Sequence, residues 1–271
     1  MTKPNEFLKI GILTPCLFVL FSFSCSNQQI ATAKTESSSN NKYVMLSTEM
    51  IDAVRDGKEL GTLKAQYEKL NPDSLTKYLS TDNEKKAFWI NTYNAYIQIL
   101  LTENPEYFDD RGDFFSKPKI IIAQRKLSFD DIEHGIIRGS KIKLSLGLLK
   151  NPFVNEFEKK LRTDKEDGRV HFALNCGAKS CPLVATYDAK NFDTKIDQVA
   201  KSFLTKMSTY NKKENTVLTT PLFSWFRGDF GGKNGILKLL KQYEVIPDDS
   251  DPEIKYDDYD WTLSLGNYYE E

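Results

Sequence analysis

The spacing of hydrophobic and polar positions changes several times along the chain, and the early part predicts helices. Apolar residues at helical spacing predict one helix over 50–54, capped by Ser47, and a second over 60–70. The segment 83–101, with Asp82 as its N-cap, is apolar almost all round. That pattern predicts a central helix buried on every side.

The later part of the chain mixes shorter helices with strands. Ser128 and Asp131 have the spacing of a capping box, which predicts a helix through Arg138. We expect strands over 119–124, 169–176, 215–220 and 253–256, and helices over 153–161, 192–210 and 234–243. Because helices dominate early and strands cluster late, the sequence predicts an α+β fold: a helical N-terminal half around the central helix, packed on a mainly antiparallel sheet.

The first 24 residues have the pattern of an export signal. Lys3 and Lys9 precede an apolar run over 10–21, which is shorter than the about 20 residues needed to span a bilayer. Small residues then lead to Cys25 in an arrangement that resembles a lipobox. We expect a signal peptide over 1–24 and a lipid on Cys25, which would anchor the chain to a bacterial membrane. A plain secretory signal and a short anchor helix are the alternatives.

Composition divides the rest of the chain into a tether and one domain. Residues 25–42 form the expected tether, because 26–42 contain a single large aliphatic residue. Residues 43–271 are long enough for one globular domain with its own core. Removing the signal peptide changes the net charge from -1 to -2, because it takes away two lysines and one glutamate. We therefore expect no nucleic-acid partner, which would need a basic face.

Three amide side chains interrupt the apolar surface of the central helix. Asn91, Asn94 and Gln98 stand at i, i+3 and i+7, so they share one stripe. A buried amide without hydrogen-bond partners costs roughly 1–3 kcal/mol. The stripe therefore either lines a functional site or ties the helix to a neighbouring loop in a structural network.

The segment 171–182 holds one of the two histidines and both cysteines of the domain, Cys176 and Cys181. These residues are compatible with a catalytic thiol activated by His171, with a disulfide, and with a metal site. In a continuous strand His171 and Cys176 would point to opposite faces. Cys181 lies beyond the turn at Gly177, so we expect it to be the easier partner of His171, with Cys176 a candidate if the strand ends early.

Three further residues complete the candidate set. On the predicted helix 129–138, Glu133 falls on the apolar side, whereas His134 points away as a solvated histidine. An inward His134 would give a Cys₂His₂ zinc set with His171 and the two cysteines, but the spacing fits no standard zinc module, so we expect no metal and no other cofactor. Asp229 lies among aromatic residues and glycines, where it could orient a histidine or cap a backbone turn.

Several stretches together resemble the family called domain of unknown function 547, over roughly residues 80–240. They are Ala87–Ala95, Leu127–Arg138, His171–Pro182 and Trp225–Phe230. The layout of that family is similar to papain-like and transglutaminase-like thiol enzymes, which implies a related fold. Such enzymes place a cysteine at the start of the central helix, whereas this helix carries Asn91 and Asn94 and no cysteine.

These observations lead to two functional hypotheses. The first is a thiol-dependent hydrolase or transferase that acts on an amide, peptide or thiol compound. Cys181 or Cys176 would be its nucleophile, His171 its base, and Asn91 or Asn94 an orienting or oxyanion group. The alternative is a non-catalytic binding module for a small molecule or peptide, stabilised by a Cys176–Cys181 disulfide. Either would be a cell-envelope lipoprotein, expected at the outer membrane.

Overall fold

The structure, a computed structural model, describes residues 41–270; the predicted signal peptide, Cys25 and most of the predicted tether lie outside them. The α-helices are α1 Lys42–Arg55, α2 Gly61–Lys69, α3 Pro72–Tyr78, α4 Asp82–Glu103, α5 Arg111–Ser116, α6 Glu156–Leu161, α7 Phe192–Met207, α8 Leu222–Trp225 and α9 Gly232–Gln242. Two 3-10 helices span Pro105–Phe108 and Gly168–Phe172, and a π-helix spans Asp131–Ile137. The strands are β1 Ile120–Ile122, β2 Arg125–Leu127, β3 Thr209–Asn211, β4 Thr216–Thr219 and β5 Glu253–Tyr256.

These elements confirm the α+β class. The strands form two small sheets: the antiparallel hairpin β1–β2, and a sheet in which β4 pairs with β3 antiparallel and with β5 parallel. The central helix α4 packs chiefly on α1 and the π-helix rather than on a sheet. Within residues 41–270, no helix has the length and apolar character needed to cross a membrane.

The start of α4 is fixed by a capping box one residue before the predicted position. Thr81 is the N-cap: its hydroxyl accepts from the Glu84 backbone N–H at 3.2 Å, and a Glu84 carboxylate oxygen accepts from the Thr81 backbone N–H at 2.9 Å. The predicted N-cap, Asp82, is therefore the first helical residue. Asp82 instead accepts hydrogen bonds from two backbone N–H groups of a neighbouring loop, which explains an acidic residue there.

The first helix starts earlier than predicted. Asn41 caps α1, and its side chain accepts from the Tyr43 backbone N–H at 3.1 Å. Ser47, the predicted cap, lies inside the helix, is fully buried and donates to the Val44 carbonyl at 2.7 Å. The apolar stripe of α1 continues back through Val44, so this helix reaches into the last residues assigned to the tether.

The predicted strand over 169–176 is wrong. Asp167 accepts from the Arg169 backbone N–H and opens the 3-10 helix Gly168–Phe172. All residues from Val170 to Asn175 are buried. Complete burial removes the in–out alternation that distinguishes strands from helices, so pattern could not separate the two here. The parity argument that favoured Cys181 over Cys176 consequently loses its premise.

The described residues pack around two hydrophobic clusters. The larger one surrounds α4, whose Phe88, Trp89 and Ile90 are fully buried. The second lies among α7, α8 and α9 and contains Phe172 and Phe223. Val170 belongs to the first cluster and Phe172 to the second, so the 3-10 helix that carries His171 connects them.

Candidate active site

A cavity of about 450 Å³ is built from residues of both clusters. Its walls come from the π-helix, the 3-10 helix with the loop that follows it, α8 and the C-terminal segment. Aromatic and aliphatic side chains form most of the lining, and a few acids and bases are grouped among them. The aromatic members are Tyr93, Phe115, Trp225, Phe226, Tyr259 and Trp261, and the ionisable members include Arg111, Asp130, Glu133, His134, Lys143 and His171. This combination suits a ligand that is apolar apart from one reactive or hydrogen-bonding group.

His171 is fixed by a carboxylate and by an aromatic ring. Its Nε2 lies 2.8 Å from Oδ2 of Asp229, and its ring stacks on Phe226 with centroids 3.7 Å apart. A neutral imidazole must donate through Nε2 to this carboxylate, which leaves the lone pair on Nδ1. Burial lowers the pKa of His171; the bond to Asp229 opposes this, and the positive charge of Arg138 adds to the lowering. While Cys176 is held in the disulfide, His171 is thus an unprotonated base at neutral pH.

Arg138 connects this pair to the second histidine. Its Nε donates to Asp229 Oδ2 at 2.6 Å, and its Nη1 lies 2.7 Å from His134 Nδ1. Because a guanidinium only donates, His134 Nδ1 accepts, so this ring is neutral. Burial, followed by the Arg138 charge, lowers the pKa of His134 to about 3. Burial works against ionisation of Asp229, but the hydrogen bonds from His171 and Arg138 hold its pKa below the usual range.

The structure changes the expected environment of His134 and gives Glu133 a partner. His134 is buried, with 8% of its surface exposed, and lines the cavity, so the prediction of a solvated histidine is wrong. Glu133 also lines the cavity and accepts a hydrogen bond from the Tyr93 hydroxyl at 3.3 Å. Both residues belong to the π-helix, a rare helical form that is frequent at functional sites.

Cys176 and Cys181 are joined as a disulfide. Cys176 lines the same cavity as His171, whereas Cys181 lines a different one. The Tyr259 hydroxyl lies 3.1 Å from the sulfur of Cys181 and 3.5 Å from that of Cys176. Burial raises the pKa of Tyr259, so this hydroxyl keeps its proton and can donate to sulfur.

The same region of the chain is the part that comparison with known proteins detects. Residues 77–204 match the model of DUF547, described as a protein of unknown function. Over these residues the chain is similar to the DUF547 family. No curated protein and no solved structure matches the chain. The match contains α4, the π-helix, His171 and both cysteines, but ends before the segment that supplies Asp229 and Tyr259.

Asn91 and Asn94 of the amide stripe on α4 bind backbone groups. Asn94 donates to the Ala173 carbonyl and accepts from the Asn175 backbone N–H, both at 2.8 Å. Asn91 donates to the Tyr187 carbonyl at 2.8 Å and accepts from the Tyr187 backbone N–H at 2.9 Å. Neither Asn91 nor Asn94 lines the cavity. These contacts have the form of the structural network, and Asn94 holds the very residues that connect His171 to Cys176.

Among residues 41–270, no group of three or more histidine, cysteine, aspartate or glutamate side chains is arranged to hold a metal ion. The zinc alternative needed both cysteines as thiolates, and their sulfurs are bonded to each other.

Arg138, Tyr93 and Tyr259 are among the residues of the site that were not predicted from the sequence. The sequence places Arg138 near His134 on the predicted helix 129–138, but it does not indicate that Arg138 belongs to the site. Tyr259 reaches the sulfurs from about 80 residues further along the chain. A shared feature that could have indicated Arg138 is its i, i+4 spacing from His134 on one helical segment.

Proposed function

We propose that this domain is a thiol-dependent enzyme of the bacterial cell envelope, acting on an amide or thiol-containing small molecule or peptide. The supporting observation is that Cys176 and His171 line one largely apolar cavity, while the buried carboxylate of Asp229 holds His171. A cysteine nucleophile needs a base, and the base needs a group that fixes its tautomer. Asp229 meets the second requirement, which leaves Nδ1 of His171 as the proton acceptor.

The disulfide is the resting form in this proposal. A dithiol carrier of the envelope would open it: one carrier thiolate attacks the Cys181 sulfur, and Cys176 leaves as a thiolate. The second carrier thiol then attacks the mixed disulfide, which releases Cys181 as a thiol and the carrier as its own disulfide. This direction of attack keeps the carrier outside the cavity, because Cys181 lies on the other cavity and Cys176 on the candidate site.

The reduced enzyme would then follow acyl-transfer chemistry. In the reduced enzyme His171 Nδ1 takes a proton from solvent and forms an ion pair with the Cys176 thiolate, and this thiolate attacks the substrate carbonyl carbon. The C–N bond breaks as the imidazolium returns its proton to the leaving amine, and water hydrolyses the resulting thioester with His171 again as base. Asp229 stabilises the transient imidazolium, Tyr259 donates a hydrogen bond toward the sulfur, and Asn94 is a positioning residue for the connecting loop.

We also propose that the domain is held at a membrane by lipid on Cys25, after removal of residues 1–24, with the outer membrane as the expected location. The support is the sequence pattern of the N-terminus: a positive start, a short apolar run and small residues before a cysteine. An export compartment also agrees with a disulfide between Cys176 and Cys181, because such bonds persist where the environment is oxidising.

Alkylation of the reduced protein tests the thiol proposal. After treatment with a dithiol reductant, Cys176 should react with iodoacetamide at about pH 6 at least tenfold faster than an ordinary thiol, whose pKa is about 8.5. Peptide mass spectrometry assigns the modified sulfur, and Cys181 should be the slower one. His171→Gln should remove the advantage of Cys176 while the far-UV spectrum stays unchanged. Equal, slow reaction of both thiols would contradict the proposal.

One observation favours a binding module as the second candidate. In the described chain, His171 donates to Asp229 and the two cysteines are bonded to each other. Both contacts can be purely structural and need no catalytic role to explain them. This candidate predicts that reduction lowers the unfolding midpoint and exposes two thiols of ordinary pKa. It also predicts that Cys176→Ser and Cys181→Ser destabilise the domain equally, because either change opens the same loop.

A further inference from the structure

One stretch of the chain exposes apolar side chains far more than the rest. We call Ile142–Phe153 the apolar loop. Of the twelve large hydrophobic residues that are exposed in the described chain, six belong to it. Leu144 is 89% exposed, Leu148 62%, Leu149 60% and Phe153 90%. A concentration of this kind marks a surface that is covered by something else when the protein works.

The apolar loop is held rigidly at its base. The Gly228 backbone N–H donates to the Leu146 carbonyl at 2.7 Å, and Lys141 donates to the Gly147 carbonyl at 2.7 Å. Gly147 has a φ of +79°, and a side chain there would lie 2.3 Å from Oδ1 of Asp229. These contacts hold the backbone of the apolar loop against Asp229, the residue that orients His171, and leave the leucine side chains exposed.

The same loop forms part of the candidate site. Lys143, Leu144 and Leu146 line the cavity, and the other exposed leucines follow within a few residues. Lys143 pairs with Asp130 at 2.7 Å, which ties this side of the loop to the π-helix. Whatever covers the apolar loop consequently comes close to the entrance of the cavity.

We propose that a lipid bilayer covers it: the apolar loop inserts its leucines into the membrane interface and brings the cavity to the bilayer surface. The loop mixes exposed leucines with Lys143 and Lys150, both about half exposed, and this composition suits an interface containing anionic headgroups. The substrate of the proposed enzyme would then be an amphiphile whose apolar part enters along Leu144 and Leu146.

The length of the chain before the domain argues for this occupant. This step rests on the lipid anchor in the proposed function. Fifteen residues, 26–40, separate Cys25 from the first described residue. Fifteen residues of polypeptide can span at most about 50 Å. An anchored domain therefore stays within reach of the bilayer, and even a weak apolar contact is strengthened by this confinement.

Spin-label accessibility in vesicles tests the inference on the complete lipidated chain. Leu148→Cys would carry a nitroxide in the apolar loop, and Leu218→Cys in β4, also an exposed leucine, is the matched control. The native thiols stay unlabelled, because Cys176 and Cys181 are bonded and Cys25 carries lipid. The vesicles contain phosphatidylcholine with roughly a third of anionic phosphatidylglycerol. Leu144→Cys serves as a second loop position in case the first label disturbs the loop.

We expect the loop label to collide with oxygen, relative to a water-soluble nickel chelate, several-fold more often than the control label. Equal accessibility of the two labels to nickel would overturn the inference. Shielding of both labels from nickel would also overturn it, because the contact would then not be specific to the apolar loop. Spin–spin broadening confined to the loop label would show a second copy of the chain in place of the bilayer, and would also overturn it. The lipid mass on Cys25 is measured in the same samples, so failure of the anchor and failure of the loop contact give different results.

Discussion

At the level of single residues, Arg138 sets the protonation states of His134 and Asp229. Its guanidinium donates to His134 and to Asp229, so one histidine is kept neutral and the carboxylate is kept charged. The remaining oxygen of Asp229 and the Nη2 of Arg138 have no hydrogen-bond partner in the described chain. Buried polar atoms without hydrogen-bond partners lower the stability of a fold. Native proteins therefore keep few of them, and a functional role is one reason for keeping them.

The pKa of His134 predicts a pH-dependent loss of stability. In the unfolded chain its pKa is about 6.5, whereas in the fold it is about 3. Between these values the unfolded chain binds a proton that the folded chain does not, so the free energy of unfolding falls as pH falls below about 6.5. At about pH 4.5 the loss from this group amounts to about 2–3 kcal/mol.

Urea unfolding of wild type and His134→Asn at about pH 7 and about pH 4.5 measures this contribution. Asparagine can accept the hydrogen bond from Arg138 and does not titrate. The variant should therefore lose less stability than wild type on acidification, while the contribution of His171 is common to both proteins. Identical losses would show that His134 is not held neutral by its surroundings.

At the level of elements, α4 acts as a scaffold for the loop between the base and the sulfur. Asn94→Leu should lower the free energy of unfolding by about 2–5 kcal/mol, because the Ala173 carbonyl and the Asn175 N–H would stay buried without partners. Asn234→Leu, at an exposed position of α9, is the control and should cost no more than about 0.5 kcal/mol. Chemical denaturation gives both values.

The opposite result for Asn94 has a definite meaning. If Asn94→Leu keeps or gains stability but loses the reactivity of Cys176, Asn94 belongs to the site itself. Residues kept for function are often not the most stable choice at their position, so replacing them need not destabilise the fold.

Elements were predictable where their signals are local. The capping box of Ser128 and Asp131, the amphipathic helix α7 and the strand β5 follow from residues within a few positions of each other. The conformation of the segment 169–176 was not predictable, because the burial of Val170–Asn175 removes the alternation of buried and exposed residues on which the prediction depended. For the site, His171, Cys176, His134 and Glu133 could be found as rare polar residues in apolar stretches, whereas Tyr259 is brought there by a contact distant in sequence.

At the scale of the whole molecule, the proposed function includes a lipid anchor on Cys25. Cys25→Ser should abolish metabolic labelling with a radioactive fatty acid and move the chain out of the membrane fraction, because the acyl chains supply the anchoring free energy. Ser24→Thr, a small change beside the modified cysteine, is a control that should keep both properties. Unchanged fractionation of Cys25→Ser without lipid would rule out this anchor.

The thiolate pKa of Cys176 is a direct measure of whether His171 activates this sulfur. In Cys181→Ser the disulfide cannot form, and the ultraviolet absorbance of the thiolate near 240 nm can be followed against pH. We expect a pKa for Cys176 below about 7, because His171 and Asp229 stabilise the ion pair between the thiolate and the imidazolium. In Cys181→Ser with His171→Gln the pKa should return toward about 8.5. A pKa of about 8.5 that His171→Gln leaves unchanged would contradict the thiol enzyme.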